Sequence, residues 1–210
     1  MKRADPGFTL IELIIVMVIL LIIAAIAIPN IQQIVSNYQL DSSGHSVASL
    51  VQQARLQAVN SNQPAYAQYN NAGNPVLVYV NNNPGAAYVT GQPDVALNSG
   101  FKFQNAAGLP DDGQLKEYLG ITGSASDPNL QVGSVLGFNS RGIPCIMTGG
   151  AAVCSPQPGG GGAVVFEWLV TDSKGGWEAV TVTAAGRIKS WRLASQSAAK
   201  GPCGFSACWQ

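Results

Sequence analysis

Gly7-Phe8-Thr9-Leu10-Ile11-Glu12-Leu13 opens a run in which every residue from Ile11 to Ile28 is apolar except Glu12. About 20 residues at a rise of about 1.5 Å each match a hydrocarbon core about 30 Å thick, so the stretch 8–28 reads as a membrane-spanning helix. One ionised carboxylate on such a helix costs about 2.5 to 3.5 kcal/mol, which makes Glu12 a functional residue in need of a partner. Its place near the helix start offers a simpler stabilisation as well, by the helix dipole and interfacial water.

The flanks set orientation and processing. Met1-Lys2-Arg3-Ala4-Asp5-Pro6-Gly7 is a short basic leader, and no Ala-x-Ala site follows the apolar run before Pro29, so the helix is expected to be retained. Lys2 and Arg3 precede the span and no Lys or Arg follows until Arg55, which is expected to put the N-terminus in the cytoplasm and the rest outside. Pro29 removes a helix donor and crowds the preceding turn, so a kink is expected there.

Beyond the span, only 10% of the chain is charged, with 24 Gly and 12 Pro, a composition suited to a β-rich exported domain. Removing the leader takes Lys2, Arg3 and Asp5 from eleven basic and eleven acidic residues, leaving nine and ten. Such a balance implies no global attraction to nucleic acid. Cys145, Cys154, Cys203 and Cys208 all lie in the exported part, where disulfides persist. Three connectivities are open; proximity favours Cys145 with Cys154 and Cys203 with Cys208, and zinc is the rival use of a Cys-x-x-x-x-Cys spacing.

Val47, Leu50, Val51, Ala54 and Ala58 fall at helical spacing between Gln52, Gln53, Arg55 and Gln57, an amphipathic continuation expected over 29–62. Asp41-Ser42-Ser43-Gly44 interrupts it with residues that favour caps and turns. After Asn60-Ser61-Asn62-Gln63-Pro64 the period changes to two, and a β-rich head is expected over 63–210. Strands are expected at 65–69 and 76–80 around the turn Asn71-Ala72-Gly73-Asn74, at 101–103, at 135–138, and in a meander of 164–171, 177–183 and 187–193. Pro156-Gln157-Pro158 and Gly159 to Gly162 read as a loop, and Asp111-Asp112-Gly113 as a turn.

Basic leader, Gly7, Phe8, Glu12 as the fifth residue counted from Phe8, the aliphatic run and Pro29 together resemble the N-terminus of type IV pilins and type II secretion pseudopilins. The resemblance implies an α+β fold, with a long N-terminal transmembrane helix and an antiparallel, β-rich head. It implies cleavage by prepilin peptidase between Gly7 and Phe8, N-methylation of Phe8, and pairing of Glu12 with the terminal amine of an adjacent subunit during assembly. Two opposite charges in a low-dielectric bundle each remove the other's reason to be excluded. The implied partners are other pilin or pseudopilin subunits, the peptidase, an inner-membrane assembly platform and lipid. No cofactor is implied.

The stretch from Leu56 to Pro64, the Phe138-Asn139-Ser140-Arg141-Gly142-Ile143-Pro144 segment and Gly186-Arg187-Ile188-Lys189 resemble landmarks of H-type minor pseudopilins and T-type fimbrial minor pilins. The glutamate usual after the helix arginine is absent, since Arg55 precedes Leu56-Gln57. In T-type minor pilins a C-terminal Gly-Arg-x-Arg motif is associated with DNA binding during uptake. Here Lys189 replaces the second arginine and loses its bidentate fork. Arg187, Lys189, Arg192 and Lys200 follow the last acid, Glu178, and Arg187, Lys189 and Trp191 share one strand face, so this is the candidate DNA surface. The alternative is an edge strand protected by its charges.

Catalytic motifs are missing. The spacing of Gly137-Phe138-Asn139-Ser140-Arg141-Gly142 is not that of a nucleophile elbow, and His45 is the single histidine. No phosphate-cradling glycine motif occurs, so energy for assembly must come from another protein.

Overall fold

The computed structural model describes residues 9–104, 109–121, 130–131, 133–148, 151–154, 164–172, 174–196 and 202–210. The chain divides into two compact units, Met1–Gln39 and Leu40–Gln210. Helix α1, Leu10–Ser61, is 52 residues long and contributes to both. It continues through Pro29, so the proline does not end it.

The apolar stretch Leu10–Ile28 is 19 residues long and none of it is buried, the surface expected of a segment whose solvent is lipid or another helix. Ile31, Ile34, Val35 and Tyr38 extend an exposed apolar stripe past the span, at spacings of three and four.

The second unit builds a core on the rest of α1. Leu40, Val47, Leu50, Val51, Ala54 and Ala58 are buried on one face. They join a single apolar cluster with residues of two sheets, among them Ala65, Val78 and Phe138 from one and Phe166, Trp168 and Val180 from the other. The first sheet comprises β1 (Ala65–Asn70), β2 (Leu77–Asn81), β3 (Asp94–Ala96), β6 (Val135–Phe138), β7 (Pro144–Thr148) and β8 (Ala151–Cys154), ordered β3-β2-β1-β6-β7-β8. The second comprises β4 (Lys102–Gln104), β9 (Val165–Thr171), β10 (Trp177–Val182), β11 (Ile188–Gln196) and β12 (Ala207–Trp209), ordered β12-β11-β10-β9-β4, with β5 (Leu130–Gln131) parallel to β9. The far face of this second sheet is covered by α2 (Gly113–Leu119), whose Leu115 shares one cluster with Leu169, Ala179, Trp191 and Trp209 of the sheet. The fold is therefore α+β, an apolar N-terminal helix followed by an antiparallel, sheet-rich region.

The expected hairpin at residues 65–80 forms, with Tyr66 paired to Asn81 and Asn70 to Leu77. The meander β9-β10-β11 also forms, with Thr181 opposite Glu167 on one side and Lys189 on the other. Two local expectations need correction. Asp41 to Gly44 do not break the helix: Ser43 and Gly44 are buried within α1, because Gly44 lies against the side chain of Glu178 and a Cβ there would collide with it. Asp111-Asp112-Gly113 is a helix start rather than a simple turn. Asp112 precedes α2, and Asp111 Oδ1 accepts from the Gly113 N–H at 2.9 Å. The glycine-rich 156–162 region lies outside the described residues.

Candidate functional site: the N-terminal helix and strand β11

Glu12 is exposed in the first turn of α1. Its backbone N–H donates to Thr9 Oγ1 at 3.3 Å, and Leu13 N–H donates to Thr9 O at 3.3 Å. Thr9 thus caps the helix and Glu12 stands at the third helical position, the Thr-x-x-Glu spacing of a capping box with the threonine half made. That spacing is legible in the sequence. The backbone is capped locally, and the Glu12 side chain is exposed. Gly7 and Phe8, the expected cleavage and methylation positions, lie outside the described residues.

Cys203 and Cys208 form a disulfide with Cα atoms 5.7 Å apart. Cys145 is also disulfide-bonded, and its register partner across β7 and β8 is Cys154, whose side chain lies outside the described residues. The C-terminal tie is reinforced from α2. Gln114 Nε2 donates to Trp209 O at 3.0 Å and Gln114 Oε1 accepts from Trp209 N–H at 2.7 Å. Asp111 Oδ2 accepts from the Ser206 N–H at 3.2 Å, and donation from the Ser206 hydroxyl is the main cause holding the Asp111 carboxyl below its ordinary pKa.

The basic strand divides between two faces of its sheet. Lys189 Nζ lies 3.3 Å from the centroid of the Trp191 ring and 5.5 Å from that of Tyr118, with the Arg187 guanidinium 6.0 Å from Tyr118. These are cation–π contacts on the α2 side. Trp191 is only 7% exposed, and its Nε1 donates to Thr181 Oγ1 at 2.8 Å, so its ring is committed to the core and to Lys189. Arg192 has the opposite parity and stands across from Glu178 on the α1 side. Lys200 lies outside the described residues.

Sequence reading passed over two buried acids. Glu178 shares the strand parity of Val180 and Val182, which places it on the core face beneath α1. Its Oε2 has no hydrogen-bond partner, and burial, with Asp41 adding and Arg192 opposing, pushes its carboxyl up to about 8. Glu167 faces the other side, and both its oxygens are unpartnered. Burial, with Asp112 adding and Lys116 opposing, pushes it to about 8 as well, while Lys116 Nζ holds Asp112 Oδ1 at 2.8 Å. Period-two alternation could have flagged both residues, because each sits inside a run of buried neighbours.

Arg55 is the tie between helix and turns. Its Nε donates to Gly142 O at 2.9 Å and its guanidinium reaches Ala185 O at 3.4 Å. Gly186, at φ 79, admits the guanidinium and the Gly142 carbonyl into space that a Cβ would occupy. The segments around Gly142 and Gly186, far apart in sequence, thus meet at one arginine. Nearby, His45 Nδ1 lies 3.0 Å from Ser190 Oγ and His45 Nε2 lies 3.8 Å from Asp41. At that distance the carboxylate does not orient the imidazole by a hydrogen bond, and the row is no built proton relay.

A family model described as the prokaryotic N-terminal methylation motif matches residues 2–28. No curated protein and no solved structure gives a significant match to the chain. The matched residues join the basic leader to the exposed apolar segment of α1 and contain Gly7, Phe8 and Glu12. The chain therefore carries the N-terminal signature of a type IV pilin-like prepilin.

Proposed function

We propose that this chain is a minor pseudopilin or pilin subunit, held in the inner membrane by residues 8–28 until it is assembled into a filament of the type II secretion or type IV pilus kind. Prepilin peptidase cuts after Gly7, Phe8 is methylated, and the head lies on the periplasmic side. The observation that carries the reading is the conjunction of the methylation motif with the unburied Leu10–Ile28 stretch bearing a single carboxylate. An apolar helix surface of this extent needs lipid before assembly and other helices after it. Glu12 pairs with the Phe8 amine of a neighbour, which removes two isolated charges from a low-dielectric bundle and sets the axial register. The role is structural rather than catalytic.

Glu12→Ala tests this reading in cells that build the filament. Membrane insertion and cleavage after Gly7 should proceed as in the parent, while recovery of the subunit in sheared filaments should fall about tenfold or more, the factor that about 1.4 kcal/mol represents. Undiminished incorporation would remove the registry role. An uncleaved N-terminus in the parent protein, measured by intact mass, would remove the filament reading itself.

A further inference from the structure

Among the described residues, the first half of β11 is hydrogen-bonded on one side only. Thr183 N–H donates to Arg187 O at 2.9 Å, and the register continues through the pairs Thr181 with Lys189 and Ala179 with Trp191. In an antiparallel ladder the main-chain groups of alternate residues turn toward the same neighbour, so the odd residues of β11 face β10. The even ones face away. Arg192 does so, exchanging bonds of 2.8 and 2.9 Å with Gln210 at the end of the β12 pairing. Ile188 and Ser190 have the same outward parity, and among the described residues no strand lies beside them. Their N–H and C=O groups form an open template repeating every two residues, about 6.8 Å.

An open groove of about 700 Å³ adjoins that template. Ser49, Gln52, Gln53 and Leu56 of α1 form one wall, while Ile188 and Ser190 form the other. The helix side chains are exposed, Leu56 to 55% despite being a large aliphatic. No carboxylate or ammonium stands on the helix wall, and the Lys189 ammonium is held over Trp191 on the opposite sheet face. His45 also lines the groove, with Nδ1 3.0 Å from Ser190 Oγ, so the groove offers main-chain hydrogen bonds, amides, hydroxyls, one imidazole and one apolar seat, with no carboxylate or ammonium on its walls.

We infer that the Ile188–Ser190 edge of β11, together with the Ser49 to Leu56 face of α1, is a strand-addition site for an extended, uncharged segment of a neighbouring polypeptide. The added strand lies in line with β12, which already uses the same edge from Arg192 onward, and sets an apolar side chain against Leu56 and Ile188. Affinity comes from the main chain and selectivity from the single seat. Charged segments are disfavoured because burying an uncompensated charge in the groove is costly. The inference stands apart from the filament reading and does not require it.

The probe is a doubly capped octapeptide of alternating threonine and valine, titrated against the full chain in detergent micelles. Fluorescence anisotropy and amide hydrogen exchange are the readouts. Saturable binding that slows exchange at Ile188 and Ser190 is expected. Ser190→Pro removes one outward donor while sparing the β10 ladder, and should weaken binding about tenfold, the equivalent of one hydrogen bond of about 1.4 kcal/mol. Leu56→Glu, on the exposed helix wall, should weaken it comparably and keeps the test valid if the proline variant misfolds. A control peptide with alternate amides N-methylated should not bind. Absence of saturable binding, equal binding of the methylated control, or binding indifferent to both substitutions would overturn the inference. Concentration-dependent protection of the same amides without peptide would assign the edge to a second copy of this chain, and would overturn it too.

Discussion

The two portions of α1 share a backbone conformation and differ in what surrounds them. Residues 10–28 carry aliphatic side chains all round apart from Glu12 and leave them unburied, whereas residues 40–61 bury one face in a core shared with both sheets and keep Gln52, Gln53 and Arg55 outside it. Helical hydrogen bonds satisfy the backbone in either case. The difference teaches that helix formation and burial are separate matters here. Among the described residues the second portion packs against the sheets of its own unit, and the Leu10–Ile28 stretch of the first is unburied.

The largest expected effect that could break this contrast is a charge placed in the second portion. Val51→Asp puts an unpaired carboxylate at a position with no exposure, and should destabilise the second unit by more than about 4 kcal/mol. Leu21→Ala, at a residue 69% exposed, should leave the melting temperature of that unit unchanged. Thermal unfolding of both variants in micelles decides it, and equal losses would erase the distinction. Next in size is Arg55→Ala, which leaves the Gly142 carbonyl and Ala185 carbonyl without their charged donor. A loss of about 2 to 4 kcal/mol is expected in denaturant titration, with partial recovery in Arg55→Lys.

Gly44 sharpens the comparison by reversing sign. In the parent protein Gly44→Ala should cost about 1 to 3 kcal/mol, because the new methyl meets the Glu178 side chain. In a Glu178→Ala background that obstacle is gone, and the same change should stabilise by up to about 1 kcal/mol through helix propensity. A double-mutant cycle measures the difference, and additive effects would mean that Glu178 does not explain the glycine. The smallest effect is a slope. Between about 4.5 and 8 the Glu178 carboxyl is protonated when folded and ionised when unfolded, so the folded state binds more protons and stability falls as pH rises through that window. Glu167 contributes in the same direction. Glu178→Gln should flatten the decline in melting temperature between pH 5 and pH 8 without abolishing it, and an unchanged slope would remove Glu178 as a source.

Most strands were legible because their alternation is local. The segment 135–138 was read to the residue, and the β9-β10-β11 meander within a few residues at each end. Strands β7 and β8 escaped because Pro144, the cysteines and the intervening glycines carry turn signals, and only pairing with β6 makes a ladder of them. Helix α2 escaped because seven residues are too few for periodicity to speak, and its support comes from Trp209 and Ser206, nearly a hundred positions away. Arg187 and Lys189, read onto one strand face by parity, do lie together beside Tyr118, whereas Arg192, grouped with them, has the opposite parity and faces the other way.

What the sequence determined by itself is whatever depends on neighbours within one helix or one strand: the length and apolarity of the Leu10–Ile28 segment, the Thr9 and Glu12 cap, the isolated carboxylate, and the change of period after residue 62. Tertiary structure alone decided that Gly44 belongs inside a continuous helix, that two glycine turns meet at Arg55, and that Ile188 and Ser190 of β11 line a groove with Ser49 to Leu56 of α1. The physical reason is range. Caps, periodicity and hydropathy act over a few residues, whereas close approach, sheet pairing and the burial of a carboxylate are set by which distant segments share the same space.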